Sequence, residues 1–251
     1  MKNFTKRNVI TGFISVRTSS SRLPGKCFLP FGDNENVLTH VVKRTKFFGI
    51  EPIICTSTDQ SDDEIENIAN KMKVKIFRGS LHNKLKRWGD CADKFNIEAF
   101  HTIDADDPFF DGKLIEKSMQ MLKDKNLDCV CPTESSSNGA ASVGYSLTKY
   151  VVKEAIKNLS DDHDTEMMWH FLERVKGIKM VTLNDELNIQ PLRLTLDYEE
   201  DYWLLSFIQR LYGSYATRKE INDLFSSNPD LAKINFFRND EWKKAQINKK
   251  I

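Results

Sequence analysis

VITGFISV, residues 9–16, is a run of apolar and β-branched residues, and RTSSSRLPGK, residues 17–26, follows it with almost nothing to bury. The first stretch reads as a buried strand. A strand that runs straight into two arginines, three serines, a Pro-Gly and a lysine is what an α/β sheet needs where ligands collect, at the carboxyl ends of its strands. Pro24-Gly25 is a turn signal that folds the loop back on itself. Arg17, Arg22 and Lys26 supply fixed positive charge for a polyphosphate, while Ser20, Ser21 and the backbone around Gly25 supply hydroxyl and N–H donors. The loop is not a P-loop of the G-x-x-x-x-G-K-[ST] type, because Cys27 follows Lys26 and the first glycine is missing. The same composition also suits a solvated loop with no ligand.

Outward from this stretch the chain keeps a rhythm. Helix-like residues 36–48 precede a strand at 52–57, helix-like 62–72 precede a strand at 74–77, and helix-like 85–95 precede a strand at 98–103. Residues 113–125 then read as a helix and DCVCP, 128–132, as a strand. Such alternation predicts an α/β fold with a mostly parallel sheet and helices on both faces. The second half is less regular: a strand near 141–146, helices near 147–158 and 164–175, strands at 179–183 (KMVTL) and 191–197 (PLRLTLD), and an amphipathic helix at 199–212. ESSSNGAAS, 134–142, reads as a mobile loop over a site rather than a linker. Residues 1–251 therefore read as one domain.

Composition narrows the class. The 251 residues are 40% hydrophobic and 29% charged, as in a globular protein. No apolar run approaches the roughly 18–20 residues of a membrane span, and the N-terminus lacks the apolar core of a signal peptide, so the expected location is the cytoplasm with no membrane partner. With 37 basic against 36 acidic residues there is no global field for gripping nucleic acid, and phosphate handling must be local. Five cysteines, three of them in strand-like runs, read as reduced thiols of the interior rather than a disulfide frame.

Two further constellations carry oxygen ligands. IDADDPFFD, 103–111, follows a strand and places three carboxylates, Asp104, Asp106 and Asp107, within four residues; they repel unless something positive sits there. Hard oxygen ligands beside a phosphate loop suit Mg²⁺ shared with substrate phosphates, and Asp106 is the expected ligand. Asp111 reads as the N-cap of the next helix. In LRLTLDYEED, 192–201, Asp197 reads either as a helix cap or as a second metal carboxylate, and the acidic run 199–201 as complementing the helix dipole.

RTSSSRLPGK has the form R-x-x-S-x-R-L-P-G-K and resembles the sugar-activating cytidylyltransferases, in particular the spore-coat polysaccharide biosynthesis type, related to the ketodeoxyoctonate and acylneuraminate cytidylyltransferases. ICTSTDQSDDEIENIA (54–69), FRGSLHNKL (77–85), IDADDPFFD and LRLTLD continue the likeness in order, over roughly residues 9–210. The resemblance implies a Rossmann-like nucleotidyltransferase fold, three-layered and related to glycosyltransferase-A. It implies that Arg17, Arg22 and Lys26 hold the triphosphate of CTP with Ser20, Ser21 and Gly25 shaping the loop, that Asp106 and Asp197 carry Mg²⁺, and that Arg78 lies near the base. It implies CMP transfer to a sugar acid, sugar phosphate or phosphonate with release of pyrophosphate, in cell-surface glycan biosynthesis, and a homodimer, with 127–181 a subregion for acceptor binding or for pairing with the second copy. Thr18-Ser19 and Ala105 depart from relatives that carry glycine in those places, and His163, Trp169 and His170 are candidates on the less similar acceptor side. Two alternatives stay open: a catalytically silent nucleotide-binding module, and a glycosyltransferase reading Asp104-Ala105-Asp106 as D-x-D.

Overall fold

A computed structural model describes residues 9–33, 35–184 and 191–247. The predicted alternation is present: β1 (Thr11–Ser15), α1 (Val37–Phe47), β2 (Glu51–Ser57), α2 (Asp63–Met72), β3 (Lys75–Gly79), α3 (Lys84–Phe95), β4 (Ala99–Asp104) and α4 (Gly112–Asp124). β5 (Cys129–Cys131), β6 (Ser146–Thr148), α5 (Lys149–Ile156), the single-turn α6 (Trp169–Leu172), β7 (Met180–Thr182), α7 (Glu199–Tyr212), α8 (Arg218–Ser227) and α9 (Arg238–Ile247) complete it.

The seven strands lie in the order β3-β2-β1-β4-β6-β5-β7. All described pairings are parallel except those of β6, which runs antiparallel to both β4 and β5. The chain winds outward from β1 to β3, then returns to β4 on the other side of β1. That reversal opens a crevice at the carboxyl ends of β1 and β4, the switch point where open α/β sheets bind ligands. RTSSSRLPGK leaves β1 and ADD leaves β4 at this crevice.

Both faces of the sheet are covered, which is why its central strands are apolar at successive positions. Ile14, Ile54 and Ile103 pack with Leu38, Val41, Ile65 and Ile115 from α1, α2 and α4. Phe13, Ile53 and Phe100 pack on the other face with Leu85, Trp88 and Val151 from α3 and α5. The helices start where short polar side chains accept their free N–H groups: Asn36, Asn83, Asp111 and Thr148 each accept one at an N-cap. The five cysteines are free thiols, four of them buried.

Three sequence expectations change. Residues 191–197 alternate like a strand, and Leu192, Leu194 and Leu196 do point into a third apolar cluster with Leu204, Leu205 and Ile208 of α7. The N–H groups of Leu194 and Leu196, however, reach no ladder: Leu194 N donates to Gly139 O at 2.8 Å, in the helical turn Ser136–Ala140, and Leu196 N to Asp106 O at 2.7 Å. The expected helix over 164–175 reduces to the turn α6, and the strand expected at 141–146 begins only at Ser146.

Two buried histidines give the fold an acid limit. His40 Nε2 bonds Pro108 O at 2.8 Å, and His101 accepts the Gly144 N–H on Nε2 and so donates from Nδ1 to Ser146. Burial is the main cause that pushes His40 down to about 4 and His101 down to about 3. An unfolded histidine titrates near 6.5, so below that pH the unfolded chain binds more protons. Stability is expected to be full above about pH 6.5 and to fall by roughly 1.4 kcal/mol per histidine per pH unit toward pH 4. Urea midpoints that stay level between pH 7 and pH 5 would contradict this.

Candidate active site

The loop after β1 is built from below by a carboxylate. Asp62, only 1% exposed, accepts from Thr18 N at 2.8 Å and Thr18 Oγ1 at 2.9 Å, and from the hydroxyls of Thr56 and Ser57 at the end of β2. Burial works against its ionisation, yet these donors outweigh burial and hold its carboxyl below the usual range. Gly25 then takes φ +65°, a conformation that favours glycine, and opens a single 3₁₀ turn over Lys26–Phe28. This turn aims Lys26 inward, across the crevice.

The Lys26 ammonium donates to Asp106 Oδ2 at 2.7 Å, to the Leu196 carbonyl at 2.7 Å and to Asp197 Oδ1 at 2.9 Å. Arg22 reaches the same Asp197 Oδ1 at 2.6 Å, and its guanidinium lies 5.7 Å from the centre of the Tyr198 ring. Thus residues 22, 26, 106 and 197, from three distant parts of the chain, meet at one point. Burial alone would lower the Lys26 pKa, but Asp106 and Asp197 outweigh it and raise it, so the ammonium stays charged. Burial alone would raise Asp197; Lys26 and Arg22 outweigh it and hold the carboxyl well below the usual carboxylate range.

Asp197 is positioned in turn by a buried network. Arg193 and Asp201, both 0% exposed, form a two-pronged ion pair at 2.9 Å and 2.9 Å. Asp201 Oδ2 also accepts the N–H groups of Asp197 at 2.9 Å and Tyr198 at 3.0 Å, and Asn235 donates to Oδ1 at 2.9 Å. The carboxylate read as a dipole complement is therefore the brace of this corner. No local pattern gives it away, since its partners come from residues 193 and 235 as well as from its own helix start.

The second strand end adds a further ion pair. Lys84, at the start of α3, donates to Asp104 Oδ1 at 3.0 Å. Carboxylate oxygens of Asp104, Asp106 and Asp107 lie within 4.8 Å of one another. Burial, then its two acidic neighbours, pushes the Asp107 carboxyl well above its ordinary range, against the opposing bond from Thr195. Burial raises Asp104 too, with Lys84 opposing. Asp107 is thereby disfavoured as an anion, and Asp106 with Asp197 is the pair on which a positive charge already rests.

These groups line one cavity of about 830 Å³, a size that holds a nucleotide-scale ligand. Ser20, Ser21, Arg22, Lys26, Asp106 and Asp197 are all on its wall. Arg17 lines it as well but is not drawn to Lys26: its guanidinium donates to Leu81 O at 2.6 Å and Glu166 at 2.9 Å. Arg78 is placed elsewhere, among Asp63 at 2.7 Å, Glu66 at 2.8 Å and two backbone carbonyls, so it braces the start of α2 and is not part of the cavity wall. On the far side, Trp169 lines the cavity, whereas His163 packs edge-on against Phe171. Sequence reading missed Asp62, Lys84 and Asp201, whose partners are distant or hidden in hydroxyl-rich runs.

A family model described as cytidylyltransferase matches residues 11–229. The spore coat polysaccharide biosynthesis protein SpsF of Bacillus subtilis is 24% identical over 237 residues, covering 90% of this chain and 97% of that protein. A cytidylyltransferase from Leptospira borgpetersenii superimposes with a TM-score of 0.78 at 23% identity, over 89% of this chain and 95% of that one. A CMP:2-keto-3-deoxy-manno-octonic acid synthetase solved with CTP superimposes with a TM-score of 0.63 at 16% identity, over 81% and 99%. Both structures have the Rossmann-like fold of nucleotidyltransferases seen here.

Proposed function

This chain belongs to the cytidylyltransferase family, and from that premise we propose that it transfers CMP from CTP to a sugar acid, sugar phosphate or phosphonate in cell-surface glycan biosynthesis, releasing pyrophosphate. One observation carries the reading: the Lys26 ammonium, Arg22 and two carboxylates converge at the end of β1, where a triphosphate and its counter-charge would both be met. The SpsF relative, named for polysaccharide synthesis, and the synthetase solved with CTP support the pathway class and the nucleotide.

The residues fit a divalent cation. Asp106 and Asp197 turn oxygens toward one shared positive charge, Lys26 Nζ, and Asp197 is held ionised. These two would hold Mg²⁺, which when bound supplies charge neutralisation for the phosphates. The chain's own groups do the rest. In the transfer an acceptor oxygen forms a bond to the α-phosphorus of CTP while the bond to the β-phosphate oxygen breaks and pyrophosphate leaves. Arg22 and Lys26 are placed to meet the charge that grows on the leaving pyrophosphate, which is positioning and electrostatics rather than covalent catalysis. Arg17 would exchange Glu166 for a phosphate oxygen.

Pyrophosphate release with Mg²⁺, compared across CTP, UTP, ATP and GTP and a panel of sugar acids, sugar phosphates and phosphonates, tests this. Release confined to CTP is the expected result. Equal release from UTP, or sugar transfer from a nucleotide sugar without pyrophosphate, would contradict it.

A further inference from the structure

One wall of the cavity lies outside the part of the chain that the family match covers. The match ends at residue 229, and α9 begins at Arg238. Nonetheless Trp242 and Ala245, on one face of α9, line the cavity. The Trp242 ring lies against the Arg193 guanidinium, 5.6 Å from its centre, and the same guanidinium is 3.6 Å from Asp197 Oδ2. The indole therefore stands one guanidinium away from Asp197.

The helix that carries it is fastened at its start. Asn239 accepts from Arg193 at 2.8 Å and donates to Asn138 O at 3.1 Å, tying α9 to the helical turn Ser136–Ala140 where the sequence suggests a mobile loop. Arg238 pairs with Glu200 at 2.8 Å and stacks 4.8 Å from the centre of the Tyr198 ring. That segment brings Glu134 and Ser137 to the same cavity. An indole that shares a cavity wall with a carboxylate and a hydroxyl is the chemistry that takes a sugar ring: the C–H face of a pyranose meets the negative π-face, and its hydroxyls meet oxygen acceptors and donors.

We propose that Trp242 is the platform for the sugar ring of the acceptor, so that the C-terminal helix sets acceptor specificity. The inference rests on the CMP-transfer reading. Contacts to CTP are what the matched region has to supply for every member. A wall that the match lacks is placed to read the substrate that differs.

The test uses the full chain, Mg²⁺ and CTP, with 2-keto-3-deoxy sugar acids, hexose 1-phosphates and ring-free polyol phosphates as acceptors in a pyrophosphate-release assay. With the ring-bearing acceptor that the wild type selects, Trp242→Ala is expected to raise the acceptor KM about tenfold, the scale of one lost aromatic contact. The KM for CTP stays unchanged, and Trp242→Phe restores most of the loss. Trp242→Leu keeps apolar packing on Arg193 but lacks a π-face, so it should behave like the alanine variant, and its melting temperature checks that the fold is intact. An unchanged acceptor KM in the alanine and leucine variants, or a rise in the KM for CTP instead, overturns the proposal. Selection of a ring-free acceptor overturns it while leaving CMP transfer standing, and silence across the panel removes both.

Discussion

Lys26→Gln is expected to cut pyrophosphate release by roughly 10²- to 10³-fold, the cost of removing one preorganised charge-stabilising donor from a transfer site. Among the described residues the ammonium is the one group that touches both Asp106 and Asp197 while lying on the loop that would face the triphosphate. Glutamine keeps a donor for the Leu196 carbonyl and the buried Asp197 keeps Arg22 at 2.6 Å, while Asp106, which loses the ammonium, is part-exposed and is met by solvent. Stability should therefore change little while kcat/KM collapses. The two are separated by measuring urea midpoints beside initial rates. A variant within about threefold of wild type, well short of the loss that one such donor accounts for, would remove Lys26 from the chemistry.

Asp201→Ala is expected to cost about 3–5 kcal/mol of folding stability, the range for breaking a buried ion pair by deleting one partner. Arg193 would remain fully buried without its two bonds, and the N–H groups of Asp197 and Tyr198 would lose their acceptor. The variant tests a structural role, since Asp201 meets Arg193, Asn235 and backbone rather than the cavity. Urea unfolding reads the loss directly. A change below about 1 kcal/mol, typical of an exposed pair, would show that the corner is held by other contacts.

The sheet was legible because each strand and helix carries its own periodicity, whereas the polar loop after β1 suited a solvated loop as well as a ligand until the family resemblance was added. Asp111 as a cap was legible for the same local reason, and its side chain does accept from Lys113 N at 2.8 Å. Partnership was not. Lys26 and Asp106 stand 80 residues apart and meet because β1 and β4 lie side by side; Arg22 and Asp197, 175 apart, meet because residues 194–196 dock on Gly139 and on Asp106 at the end of β4. Resemblance had linked these residues before geometry did. At 191–197 local pattern misled: the alternation of Leu192, Leu194 and Leu196 records which side is buried, and is silent on whether a ladder partner exists. Asp201 looked like a dipole complement because helix starts are commonly acidic, whereas its buried oxygens close a network that spans residues 193–235. Arg78 was legible as a cation but not as one already spoken for by Asp63 and Glu66.

The claim that the loop after β1 receives the triphosphate is tested most directly by calorimetric titration of CTP, with Mg²⁺ present, into the wild-type chain and into Lys26→Gln. It needs no knowledge of the acceptor. Saturable binding of CTP to the wild type, weakened at least about tenfold by the substitution in line with the loss of one charge-assisted contact, is the result predicted here. Binding of equal strength to both proteins would contradict it and place the triphosphate elsewhere.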